Sequence, residues 1–208
     1  MTTPPHTQGL RSDPRIAATR VRVLSATAEL LVSRGFAHTS IEAVAAASGV
    51  AKSTIYRHWT TRTDLCISAY RSVVQPVETP NTGVTRDDLI TLLTRLADGL
   101  ESSAWASILP SLIDAAERDP HIAAFHRALT RRRRIPIQTV LQLGQQRGDL
   151  PADVDLDYVI DLLSGPLFYR RFIYHTANDA RLVENIVDGV LAGLAGRARS
   201  TSHPAQRR

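Results

Sequence analysis

The chain has 208 residues, 43% of them hydrophobic, and a formal charge of +5 with 25 Lys+Arg against 20 Asp+Glu. That is enough chain to bury one core or two, and no stretch nears the roughly 18 unbroken apolar residues of a membrane span. The opening MTTPPHTQGLRSDP lacks the apolar run of a secretory signal, so a cytoplasmic protein with no membrane partner is expected. The single cysteine, Cys66, has no cysteine partner for a disulfide or a metal site and lies in an apolar helical context. It reads as a structural thiol, and no metal or cofactor is called for.

Charge is unevenly spread. From Arg11 to Arg71 there are nine Lys+Arg against four Asp+Glu, from Pro76 to Gly196 twelve against sixteen, and the last residues add four arginines. A basic front on an acidic body suits a first domain that meets phosphates and a second with another task.

Residues 1–12 and 197–208, rich in Pro, Gly, Ser and Arg without apolar periodicity, are expected to be disordered tails. Everything between reads as helix, so the expected fold is all-α. A first helix spans Pro14 to Ser33, with Val23, Leu24, Thr27, Leu30 and Leu31 on one face and Gly35 as a left-handed stop. Thr39 followed by Glu42 has the spacing of a capping box opening a short helix to Ser48, and Gly49 closes it. Ala51 to Trp59 starts another, with Ile55 and Trp59 inward, one turn apart. Thr61 and Asp64 form a second capping box for a helix reaching about Val74. Pro76, Pro80 and Gly83 break the pattern, which divides the chain into domains at 13–75 and 76–196. Further helices are expected at Thr85 to Ser103, Trp105 to Arg118, Pro120 to Arg147, Asp155 to His175 and Asp179 to Gly196, with a kink or break at Pro136 and Pro166.

Two short helices joined by a tight Gly-containing turn, the second exposing polar residues, meet the physical requirement for reading DNA. One helix holds the other in the major groove. With Ile55 and Trp59 inward, Lys52, Ser53, Thr54, Tyr56, Arg57 and His58 are free to face a duplex. Hydroxyls, an imidazole and cations can all donate to phosphate oxygens or base edges. The only lysine, Lys52, stands at the start of this helix, where the helix dipole also favours an anion.

The stretch GFAHTSIEAVAAASGVAKSTIYRHWTTRTDLCISAY resembles the N-terminal signature of the TetR family of regulators. Gly49, Val50, Thr54, Ile55, Tyr56, His58, Arg62, Asp64 and Leu65 match the family pattern, and Trp59 replaces its commoner Phe. The resemblance covers roughly Arg15 to Tyr70. It implies that Tyr56 and His58 bind phosphate, that Lys52, Ser53, Thr54 and Arg57 lie nearest the bases, and that Thr39, Ser40 and Arg62 clamp the DNA backbone. For Thr39 the capping role stands beside that contact. RGDL at Arg147 to Leu150 and GPLFYRRF at Gly165 to Phe172 are similar to segments of one C-terminal type, which implies a ligand cavity and a dimer interface from the last two long helices.

The last helix supports the interface independently, because Leu182, Val183, Ile186, Val187, Val190, Leu191 and Leu194 form an apolar stripe. Gly189 and Gly193 each cost about 1 kcal/mol against Ala in a helix interior, and close helix contact is a sufficient reason to keep them. The interface is therefore expected at Leu182, Ile186, Gly189, Val190 and Gly193. Trp105, Leu109, Leu112, Phe125, Leu129, Phe168 and Phe172 are candidates for a pocket that takes a small, largely apolar effector, although each taken singly reads more readily as ordinary core. Arg131 to Arg134 point around most of a helix and cannot form one binding face, so a solvated, partly salt-bridged surface is expected.

No Gly-rich phosphate loop, His-x-x-x-His, Cys-x-x-Cys or Gly-x-Ser-x-Gly occurs, which argues against an enzyme and leaves no catalytic residue to name. The expected function is that of a homodimeric repressor released by a small-molecule effector from double-stranded operator DNA carrying an inverted repeat. The alternative is a ligand-independent DNA-binding dimer or an activator.

Overall fold

In the computed structural model residues 14–201 are described, with side chains through 195, and the described residues form nine α-helices and no strand. The chain divides after Val73 into two units.

The first unit holds α1 (Pro14–Arg34), α2 (Ile41–Ser48), α3 (Lys52–His58) and α4 (Arg62–Val73). Its core joins Val23 and Leu30 of α1, Ile41 and Val44 of α2, Val50 of the turn, Ile55 and Trp59 at α3, and Leu65 of α4. Each helix therefore gives one apolar stripe to a shared centre. Gly35 and Gly49 carry the left-handed backbone that stops α1 and α2, with φ of 72° and 65°, and each donates its N–H back four residues, to Leu31 and Ala45.

The cap of α2 differs from the capping box read at Thr39. Ser40 is the N-cap, its Oγ accepting from the Ala43 amide at 3.1 Å, while the Thr39 hydroxyl donates to the Gly35 carbonyl at 2.8 Å. Glu42 pairs with Lys52 and also interacts with the Ser40 side chain at the head of its own helix. Either neighbouring hydroxyl could satisfy a free amide, and the free carbonyl at the end of α1 takes Thr39. The second capping box matches its expectation in part: Thr61 Oγ1 accepts from the Asp64 amide at 3.0 Å, and the hydroxyl donates to Asp64 Oδ2 at 2.7 Å. Cys66 is buried in α4, and desolvation pushes its thiol up to about 11.

The second unit holds α5 (Thr85–Ser102), α6 (Ala104–Arg118), α7 (Pro120–Arg147), α8 (Leu156–Tyr169), a π-helical turn (Arg170–Tyr174) and α9 (Ala180–Thr201). Leu89, Leu92, Leu93 and Leu100 make α5 a central element that packs against α6, α7, α8 and α9. Arg147-Gly-Asp-Leu150 has a local structural role: Arg147 donates to Thr85 Oγ1 at 2.8 Å, and the Thr85 hydroxyl donates to Asp149 Oδ2 at 2.7 Å. This clasp ties the end of α7 to the start of α5.

Three expectations need correction. Of the kink or break expected at Pro136 and Pro166 the break does not occur, since each lies inside a continuous helix, as does Pro110. Each proline leaves the carbonyl one turn earlier without its amide partner, but the flanking packing carries the helix through. Downstream of Pro166 the helix widens into the π-helical turn at Arg170, so the span read as helix to His175 ends in a different register. Finally, α9 continues through Thr201, past Gly196, so the tail expected from Arg197 does not begin there. Ala and Arg are good helix formers and need no apolar stripe to extend a helix already nucleated. The other tail residues, 1–13 and 202–208, lie outside the described residues.

Candidate nucleic-acid interface

The side chains singled out for DNA reading converge on α2, α3 and the turns around them. Ile55 is fully buried and Trp59 is 4% exposed, so the two residues one turn apart fasten α3 to the core along one line. Lys52, Ser53 and Arg57 are consequently exposed, Tyr56 is 52% exposed, and Thr54 and His58 are half-buried on the flanks.

Trp59 is fixed from two sides. The Arg20 guanidinium of α1 lies 5.5 Å from its ring centroid, and the His58 ring meets it edge-on at 5.7 Å. His58 is therefore oriented by a buried neighbour while staying partly accessible.

The remaining candidates are distributed differently. Ser40 caps α2 and is half-buried, whereas Thr39 is 1% exposed with its hydroxyl turned to Gly35. Arg62, at the start of α4, donates to the carbonyls of Phe36 and Thr39, the latter at 3.3 Å. It thus clamps the loop between α1 and α2 of its own chain. Lys52 Nζ donates to Glu42 Oε1 at 2.8 Å, and this hydrogen bond holds the Glu42 carboxyl below the usual carboxylate range. The pair was not read from the sequence, where the two residues stand ten apart and belong to different helices. Only their opposite charges and the short turn between them offered a signal.

In the second unit, Trp105, Leu109, Leu112 and Phe125 are buried, while Leu129, Phe168 and Phe172 are half-buried. Phe168 stacks with Phe172 at 6.2 Å, and the Arg133 guanidinium lies 3.6 Å from the Trp105 ring centroid. The four successive arginines split as geometry requires: Arg134 reaches Asp157 and Asp161 of α8, Arg133 covers Trp105, and Arg131 and Arg132 are exposed.

On α9 the apolar stripe divides in two. Val183, Val187 and Leu194 are buried in their own chain, Leu182, Ile186, Val190 and Leu191 are half-buried, and Gly189 and Gly193 are exposed. A Cβ added at Gly189 or Gly193 would meet nothing within 4 Å, so no packing among the described residues explains either glycine. A face missed in the sequence lies on α8, where Tyr158, Leu162, Gly165 and Tyr169 are all exposed. Their spacing of four, three and four places them on one side of a helix, and that spacing was the available signal. Among the described residues no helix is long and apolar enough to cross a membrane.

Comparison with known proteins agrees with this arrangement. Residues 23–69 match the family described as bacterial regulatory proteins, tetR family, and residues 79–190 match the tetracyclin repressor-like C-terminal domain. The chain is 29% identical over 197 residues to the HTH-type transcriptional regulator YdeS of Bacillus subtilis, covering 94% of this chain and 99% of that protein. It is 29% identical over 191 residues to the DNA-binding transcriptional repressor TetR of Mycobacteroides abscessus, covering 88% and 95%. The crystal structure of the TetR family transcription regulator SCO0332 superposes with a TM-score of 0.63 at 30% identity, covering 84% of this chain and 97% of that one. The chain is a DNA-binding transcriptional regulator and not an enzyme. It belongs to the TetR family.

The internal clamp can be tested apart from DNA. Arg62→Gln removes charge-assisted bonds to two carbonyls that lie far from it in sequence, and a half-buried clamp of this kind is worth about 1–2 kcal/mol. Urea unfolding should show that loss, whereas an unchanged midpoint would mean that the loop is held without Arg62.

Proposed function

We propose that the protein is a homodimeric repressor that reads an inverted-repeat operator with α3 and is released by a small, largely apolar effector bound in its second unit. The observation that carries the reading is the orientation of α3. Ile55 and Trp59 are its buried anchors, which leaves hydroxyl, phenol, imidazole and cationic groups on the other side. Tyr56 and His58 are assigned to phosphates, and Lys52, Ser53, Thr54 and Arg57 to the base edges. Ser40, at the head of α2, is placed against the DNA backbone. Thr39 serves the interface through the loop it holds, since its hydroxyl is engaged within the chain, and Arg62, which holds that loop through Nη1, is assigned to the DNA backbone beside it.

Dimerisation is assigned to the exposed parts of α8 and α9. Gly189 and Gly193, with half-buried Leu182, Ile186 and Val190, supply a flat helix surface open to a partner helix, and Tyr158, Leu162 and Tyr169 extend the apolar area on α8. The effector is assigned to the neighbourhood of the half-buried Leu129, Phe168 and Phe172, with Trp105, Leu109, Leu112 and Phe125 behind them. A ligand that prefers the conformation with misplaced reading heads lowers DNA affinity by the same coupling energy, and α4, the last helix before the second unit, is the proposed lever. A relative of similar length named as a repressor supports repression as the output. The site of action is the cytoplasm, where bacterial operators are.

Two measurements check these assignments. Tyr56→Phe and His58→Ala each remove a phosphate partner, so affinity should fall for all sequences alike, by about threefold to thirtyfold, whereas Ser53→Ala should change the ranking among operators. Unchanged binding by both phosphate variants at moderate salt would refute the assignment. For assembly, Gly189→Glu with Gly193→Glu meets open space in one chain and improves helix propensity, so the variant should fold and elute as a monomer. A dimer of ordinary elution volume would rule out this face.

A further inference from the structure

Lys52 begins the reading helix already neutralised. Its Nζ is 2.8 Å from Glu42 Oε1, and the two side chains are 52% and 63% exposed, so the pair lies at the surface beside the other candidate DNA contacts. An exposed ion pair of this kind is weak and exchanges readily. A phosphate can therefore take Lys52 away from Glu42. The exchange has an electrostatic consequence, because the released carboxylate keeps its charge next to a polyanion with no cation to offset it.

Binding to DNA of any sequence draws its strength from cations that neutralise phosphates and release counterions. A lysine that swaps an internal carboxylate for a phosphate gains little of that energy. A lysine on a base edge meets neutral acceptors, such as O6 and N7 of guanine, and its three N–H donors let it bond these while one still holds Glu42. The penalty from Glu42 thus falls on the phosphate contact, which any duplex offers, and spares the base contact, which only a matching site offers. This is the arithmetic by which a repulsive element raises specificity.

We propose that Glu42 is a specificity-determining residue of the DNA interface, competing with the phosphate backbone for Lys52 and thereby suppressing binding to non-operator DNA. The inference rests on the assignment of α3 to DNA and adds a residue of α2 to that assignment. Glu42 would act through Lys52, so removing Lys52 should remove its effect.

The test is a double-mutant cycle on the full chain: wild type, Glu42→Gln, Lys52→Gln and the double variant. Each is titrated against a random-sequence duplex and against the best duplex that wild type selects from a randomised pool, over a series of salt concentrations. Glu42→Gln should tighten binding to the random duplex by about two- to tenfold for a dimer carrying two such pairs. Its salt dependence should steepen by up to about one unit of slope per reading helix. The ratio of selected to random affinity should fall, and most of the gain should vanish in the Lys52→Gln background. Equal tightening on both duplexes, an unchanged random-duplex affinity, or an equal gain without Lys52 would each overturn the role of Glu42 while leaving α3 as the reader. Wild type that selects no duplex at all would overturn the assignment of α3 itself, and this proposal with it.

Discussion

The burial of Ile55 and Trp59 is the constraint on which the first unit depends. A seven-residue helix has too few internal hydrogen bonds to persist in water, so α3 exists only because its apolar line is held by the core of α1, α2 and α4. That same line fixes its rotation. Once Ile55 faces in, Ser53, Tyr56 and Arg57 have nowhere to go but outward, and the polar face follows from the apolar one. Replacing Trp59 by a smaller residue would therefore affect more than stability, because Arg20 and His58 both take their positions from its ring.

Around this anchor the chain uses polar groups mainly to hold loops. Thr39 closes the end of α1, Ser40 opens α2, and Arg62 reaches back from α4 to the carbonyls of the intervening loop. The effect is a rigid platform on which a short helix can present side chains with little freedom to lose on binding. The second unit follows a similar logic, with Thr85, Arg147 and Asp149 joining helix ends that are far apart in sequence.

Much of this was legible in the sequence, for reasons that differ by element. The turn at Gly49 and the spacing of Ile55 and Trp59 are local, so α2 and α3 could be read within a residue or two. The cap of α2 was misread by one position because Thr39 and Ser40 are chemically alike, and a carbonyl of α1 decides between them. The pairing of Lys52 with Glu42 depends on how helices pack, which periodicity does not reveal, and on α8 the spacing shows a shared side but not that it is exposed. At Pro136 and Pro166 a local rule allows a kink or a break, and helix packing on both sides keeps α7 and α8 unbroken. On α9 the apolar stripe was visible, but its division between the chain's own core and an open face was not.

The central claim is that two copies of α3, related by two-fold symmetry, read matching half-sites on one face of a duplex. Major grooves on one face recur about every 34 to 36 Å, so the half-sites of a selected operator should be one helical turn, or a whole multiple, apart. Footprinting on that operator with half a turn inserted between the half-sites tests the claim directly. The account predicts that affinity collapses to the level of a single half-site and that protection of one half is lost; equal protection with and without the insertion would contradict it.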